Sequence, residues 1–376
     1  MIRSLQTTAP LRETGATPTP AASDRAIAHV RECAQAVRAE ARDRAIVILQ
    51  NAGEPAGAFD LLATAIRAHA RVTLNFHPDR YVAEGHTVAE GLLREGRYLC
   101  QSDTRISNGS RTAFPGGERD SWEHELFGAA YHGPDASSSE RPKYGALDVM
   151  EHADGGSPRF GSCYFVLRPH LTARATLTWG DSHVGPEHVG TIDVPESILA
   201  AMLDAAVTHG YVLGVRGMSV GELLRRLHGR NAAGHRDPST APAGRALDEY
   251  IEAQIHGPID LATDVERLVA DPAFLGTPTG DVLAALCEQH GIPFRQHQGF
   301  VLRPDEVPAD FRGPRMVPLA QRVAGPGGTL DAVSLGRAAA SLHCDPGSWE
   351  DWGSYDETLQ HLKELWHVLV GAGRPR

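Results

Sequence analysis

Cysteine is scarce. Cys33, Cys100, Cys163, Cys287 and Cys344 are far apart, odd in number and form no Cys-x-x-Cys pair. That pattern argues against a disulfide framework or a structural zinc site and fits reduced thiols in a cytosolic protein. Long apolar runs are missing too: nothing approaches the roughly 18 residues of a membrane span. Arg3 has no apolar stretch behind it, so the N-terminus does not read as a signal peptide. These absences predict a cytoplasmic protein with no membrane partner. Nor is there a surplus of positive charge. Lys and Arg total 36 against 47 Asp and Glu, a formal net charge of -11. Non-specific nucleic-acid binding needs a basic surface and is not expected, although a local basic pocket for a phosphorylated ligand is compatible with this balance.

Two common catalytic signatures are absent. There is no GxxxxGK[ST] phosphate loop and no GxGxxG after a strand. Histidine is plentiful at 19 residues, but no HExxH or HxH spacing occurs, so no metal is expected. His124, His132 and His152 fall within one poorly periodic stretch and keep a metal-dependent hydrolase as an alternative, beside a non-catalytic binding module.

What the chain does have is a globular composition, 41% hydrophobic and 22% charged over 376 residues. Residues 1–22 are rich in Thr, Ala and Pro and read as a flexible tail. Ser23-Asp24 caps a helix running to about residue 44, and a second helix covers about 57–70. Val72 to Phe76 alternates as a strand. Residues 101–160 show no clear period and read as a long functional loop. Strands follow at 163–167 and 175–179, helices at about 195–209 and 219–229, a loop at 230–244 and a strand at 250–255. The remainder reads as mainly helical, with one strand near 300–302 and a last helix over about 355–370. The expected class is α+β, with a mixed or antiparallel core spanning 23–310 and a helical extension over 311–376. Prolines 304, 308, 314 and 318 cluster near that boundary.

Five clusters carry chemistry. Arg80 ends the His77-Pro78-Asp79-Arg80 segment after the first strand, where a guanidinium can fork onto a phosphate or simply pair with Asp79. The Ser107-Asn108-Gly109 turn can converge backbone N–H groups on an anion, or be only a turn. Arg141-Pro142-Lys143-Tyr144-Gly145 offers charge and a flat ring, or a loop anchor. Thr176 and Thr178 share one face of a strand that ends in Asp181-Ser182. Glu252, Gln254 and His256 share one face of the strand at 250–255, while Ile251, Ala253 and Ile255 take the other. That pattern suits a lined cleft or a half-exposed edge strand.

These segments together resemble an uncharacterised bacterial family, a domain of unknown function, over roughly residues 70–280. More distantly, an arginine at a strand end, a Thr-rich strand and a strand glutamate, in that order, resemble the ADP-ribosyltransferase superfamily. That resemblance implies a split-sandwich core and NAD as substrate, with ADP-ribose passing to an unknown acceptor or to water. It implies that Arg80 holds the NAD phosphates, that Thr176 and Thr178 support the nicotinamide side, and that Glu252 acts on the ribose with Gln254 beside it. Asn108, Arg141, Tyr144, Gly145, Asp181, Ser182 and His256 complete the expected site. The sequence departs from the superfamily pattern in Thr-Leu-Thr and Glu-Ala-Gln, which makes Glu249 the second candidate for the catalytic carboxylate.

Overall fold

The computed structural model describes residues 21–82, 85–104, 113–134, 136–228 and 236–376. Residues 1–20 of the expected tail and the whole Ser107-Asn108-Gly109 turn lie outside the described residues.

Ten strands occur among the described residues. They are β1 (Arg71–Phe76), β2 (Lys143–Asp148), β3 (Cys163–Leu167), β4 (Ala175–Trp179), β5 (Val189–Thr191), β6 (Tyr211–Val212), β7 (Val215–Arg216), β8 (Ile251–Ile255), β9 (Val265–Ala270) and β10 (Phe294–Gln296). Eight of them form one continuous sheet in the order β10-β9-β3-β1-β2-β8-β4-β5, and β6 and β7 make a separate hairpin. Neighbours pair antiparallel except β9 with β10, which are parallel. The fold class is therefore α+β, a mixed sheet with helices before and after it.

Period-2 alternation decides how the sheet is used. Val72, Leu74, Phe165, Leu177 and Ala253 join Phe59, Leu62, Ile198 and Met202 of the flanking helices in the main core. Register puts the polar residues on the opposite face in rows. Tyr144, Gln254 and Thr176 lie side by side across β2, β8 and β4, as do Ala146, Glu252 and Thr178.

Several local readings need correction. The helix expected from 23 to 44 is two helices, Ala22–Ala36 and Arg38–Asn51, broken at Val37. The supposed loop at 101–160 contains the helix Glu118–Leu126 and the central strand β2. Strand β2 carries Lys, Gly and Asp and has little strand propensity of its own; burial between β1 and β8 overrides that. Strands β9 and β10 lie where helix was expected, because Val265–Ala270 finds β3 as a partner. The strand expected at 300–302 is only two isolated bridges, Val301 with Arg374 and Leu302 with Leu330.

The chain's last helices, Met316–Ala324, Ala332–Cys344 and Tyr355–Ala372, pack into the same core as the sheet. Trp366 is fully buried, and its indole N–H donates to the Pro158 carbonyl at 2.8 Å. These helices thereby form one wall of the cleft described next.

Candidate active site

Strand β8 presents Glu252, Gln254 and His256 in a row, and all three are buried. Buried polar groups persist only when hydrogen-bonded, and here the partners form a directed chain. The Tyr131 hydroxyl meets His256 Nδ1. His256 Nε2 lies 2.9 Å from Thr176 Oγ1. Thr176 in turn donates to Gln254 Oε1 at 2.7 Å, which makes its oxygen the acceptor from His256 and fixes the imidazole as the Nε2–H tautomer. Gln254 Nε2 then donates to Glu252 Oε1 at 2.9 Å and to Thr178 Oγ1 at 3.2 Å. Burial, with Lys143 and Arg174 adding to it, pushes the His256 pKa down to about 3, so the ring is neutral as the chain requires. Each donor points toward Glu252, which accepts at the end.

The other Glu252 oxygen faces a second carboxylate. Tyr250 donates to Glu252 Oε2 at 3.1 Å and makes a short contact with Asp181 Oδ1. One phenolic proton therefore serves two carboxylates. Ser182 also bonds Glu252, and Arg159 Nη1 lies 3.3 Å from Asp181 Oδ2. Burial raises the Glu252 pKa above the ordinary carboxylate value, and the nearby Asp181 charge adds to this; the bonds from Ser182, Gln254 and Tyr250 oppose it. The Gly180-Asp181-Ser182 turn that ends β4 thus delivers both an acid and a hydroxyl to β8.

Glu252, Asp181, Ser182, Tyr144 and Gly145 line one large cleft of about 1220 Å³, and so does Arg80. Gly145 is required there for backbone approach: a Cβ would stand 2.3 Å from the Thr73 carbonyl oxygen of β1. Arg80 is half-buried; its backbone carbonyl accepts from the Val88 N–H, but among the described residues its guanidinium has no hydrogen-bond partner, and its Nη1 is sealed from solvent. Asp79 attracts Arg80 electrostatically, but among the described residues the two make no ion pair or hydrogen bond, and the Asp79 carboxylate lies against Gly336, where a Cβ would overlap it.

The remaining expected residues sit elsewhere. Thr176, Thr178, Gln254 and His256 are beneath the cleft floor and do not line it. Arg141 does not line it either. Its guanidinium is consumed by Asp120 at 2.7 Å and Glu123 at 2.8 Å. Lys143 lines the cleft, but its ammonium donates to the Ser139, Arg141 and Gly257 carbonyls. Glu249 is not among the lining residues. Glu123, Arg119 and Arg159 have no role in the sequence-based expectation, and Tyr250, which the strand alternation places on the same face as Glu252, was not among the expected site residues.

Among the described residues no three His, Cys, Asp or Glu side chains gather as a metal site. His124 and His132 stack edge-on at 4.7 Å, with His132 Nε2 3.1 Å from Asp120, whereas His152 Nε2 bonds the distant Leu213 carbonyl at 2.8 Å.

With this geometry in hand, the comparison with known families is direct. Residues 71–371 match the family described as protein of unknown function DUF3626. The chain belongs to that family. No curated protein matches it. The DUF3626 match takes in β1 to β10 and most of the last helix, so the Arg80 segment, the Asp181 turn and β8 all lie inside the family's shared domain.

Proposed function

We propose that this DUF3626 protein cleaves the nicotinamide–ribose bond of NAD and passes ADP-ribose to an acceptor or to water. One observation carries the reading: Glu252 and the unpartnered Arg80 open into the same cleft. A volume of about 1220 Å³ exceeds the roughly 300–1,000 Å³ of ordinary small-ligand sites, leaving room for a dinucleotide and part of an acceptor. In this reading Arg80 holds the pyrophosphate through charge-assisted bonds. The bonding pair of the N-glycosidic bond leaves with the nicotinamide nitrogen, which becomes neutral, and C1′ of the ribose becomes oxocarbenium-like. Glu252 faces that positive charge and stabilises it. The acceptor oxygen or nitrogen then bonds C1′ and loses its proton. The chain from Tyr131 through Gln254 keeps Glu252 oriented without moving during the reaction.

The test is nicotinamide release from NAD by the whole chain, with calorimetric NAD binding alongside. Glu252→Gln is expected to lower turnover by about 10²–10³-fold, the typical cost of losing one electrostatic stabiliser, while retaining its circular dichroism spectrum and NAD affinity. Because Glu252 acts ionised and burial raises its pKa, wild-type activity should rise with pH through a midpoint above the ordinary carboxylate range. Neither NAD binding nor nicotinamide release by the wild type would overturn the reading.

A further inference from the structure

We infer that Arg119 is a second oxyanion-binding subsite of the cleft, distinct from Arg80, shaped for a carboxylate or phosphate on the acceptor. Arg119 lies in the first turn of the helix Glu118–Leu126, one turn before Trp122, and faces Tyr144 of β2. Its guanidinium carbon is 4.5 Å from the Trp122 ring centroid and 4.5 Å from that of Tyr144. Two aromatic contacts hold the guanidinium in place, each attractive to a cation. The residue is only 8% exposed, and its Nε and Nη1 are sealed from solvent without a hydrogen-bond partner among the described residues.

The acid beside it explains why those donors stay unmet. Glu123 Oε1 is 4.0 Å from Arg119 Nη1, beyond hydrogen-bond range. Both Glu123 oxygens are already engaged at 2.8 Å, Oε2 by Arg141 and Oε1 by the Tyr144 hydroxyl. Glu123 therefore offsets the Arg119 charge but cannot fill its fork. Nη1 is sealed from solvent, so an oxyanion in the cleft would meet the guanidinium at Nη2 with a charge-assisted hydrogen bond. Nη2 is neither bonded nor sealed, and Arg119, Trp122 and Tyr144 all line the cleft that holds Glu252 and Asp181. Arg80 leaves the end of β1 and sits by the C-terminal helices, so the two guanidinium groups occupy different walls. Assigning the anion to the acceptor rests on the NAD reading; the subsite itself does not.

Isothermal titration of the whole chain with inorganic pyrophosphate, and separately with succinate, at constant ionic strength tests this without NAD. Arg80→Gln should retain an anion site. Arg119→Met should weaken that site by at least about 10-fold, the factor expected for one charged hydrogen bond. Arg119→Lys keeps the charge but loses the planar group held between Trp122 and Tyr144, and should fall with Arg119→Met rather than with the wild type. Stronger binding of pyrophosphate would mark a phosphate acceptor, and stronger binding of succinate a carboxylate one. The proposal fails if folded Arg119→Met or Arg119→Lys binds both anions as the wild type does, or if the wild type binds neither.

Discussion

Two arginines that look alike in the sequence are used in opposite ways. Arg141 opens the Arg-Pro-Lys-Tyr-Gly segment, and both terminal nitrogens of its guanidinium are taken: Asp120 at 2.7 Å and Glu123 at 2.8 Å, with the Tyr131 ring at 5.9 Å. Arg80 follows a strand of the same sheet and meets none of these, although Asp79 is its sequence neighbour. The difference lies in which acids can reach them. Asp120 and Glu123 project one turn apart from a single helix and form a fork that matches Arg141. The Asp79 carboxylate lies against Gly336 on the helix Ala332–Cys344 and makes no close ion pair with Arg80 among the described residues. A filled fork is architecture; an open one beside a large cleft is a place for a ligand.

Breaking the closed side should produce the largest loss of stability. Arg141→Met leaves Glu123, which is 2% exposed, without the cation that hydrogen-bonds it. Removing one member of a buried pair costs about 3–5 kcal/mol, and chemical denaturation should show most of that range. Nucleotide affinity per folded molecule should change little, since Arg141 does not line the cleft. If Arg141→Met instead lost NAD binding with stability intact, the contrast between the two arginines would collapse.

The converse substitution sharpens the comparison from the other side. Arg80→Gln removes a guanidinium that bonds nothing among the described residues, so the unfolding free energy should change by less than about 1 kcal/mol. NAD affinity should fall by roughly 10–100-fold, the equivalent of a charged hydrogen bond worth about 1.5–3 kcal/mol. A kinetic readout would place the loss in KM more than in kcat, because a phosphate grip acts on ground state and transition state alike.

How much of this was legible in the sequence depends on whether the signal was local. The alternation Tyr250-Ile251-Glu252-Ala253-Gln254-Ile255-His256 placed a polar row on β8 because strand period 2 is a property of the segment itself. Which of those residues would reach solvent was not local. Gln254 and His256 are covered by Tyr144 and Tyr131, from segments more than a hundred residues away, and only Glu252 at the end of the row opens to the cleft. Strand β2 was hidden because its residues take their conformation from β1 and β8 on either side. Likewise, nothing in Gly116-Gly117-Glu118-Arg119 announces a clamped guanidinium; Tyr144, which completes the clamp, comes from another element. The sequence reading therefore found the rows of the site and missed the contacts between rows.

A further expected effect concerns why Arg80 stays unpaired. Burial pushes the Asp79 pKa up to about 6, against the partial relief that Arg80 gives. A carboxyl with a raised folded pKa binds more protons folded than unfolded, so native stability falls as pH rises from about 4, the unfolded value, to about 6, and is flat above that. Asp79→Asn removes the ionised form. Relative to the wild type it should gain stability at pH 7.5 and gain little or nothing at pH 4, read as the difference between two denaturation curves. Asp271 is also raised by burial and titrates with the same sign, so the wild-type slope will be reduced by the substitution rather than abolished. Should Asp79→Asn lose stability at pH 7.5, Asp79 would have to be a true partner of Arg80 in solution, and the open fork at the end of β1 would be closed after all.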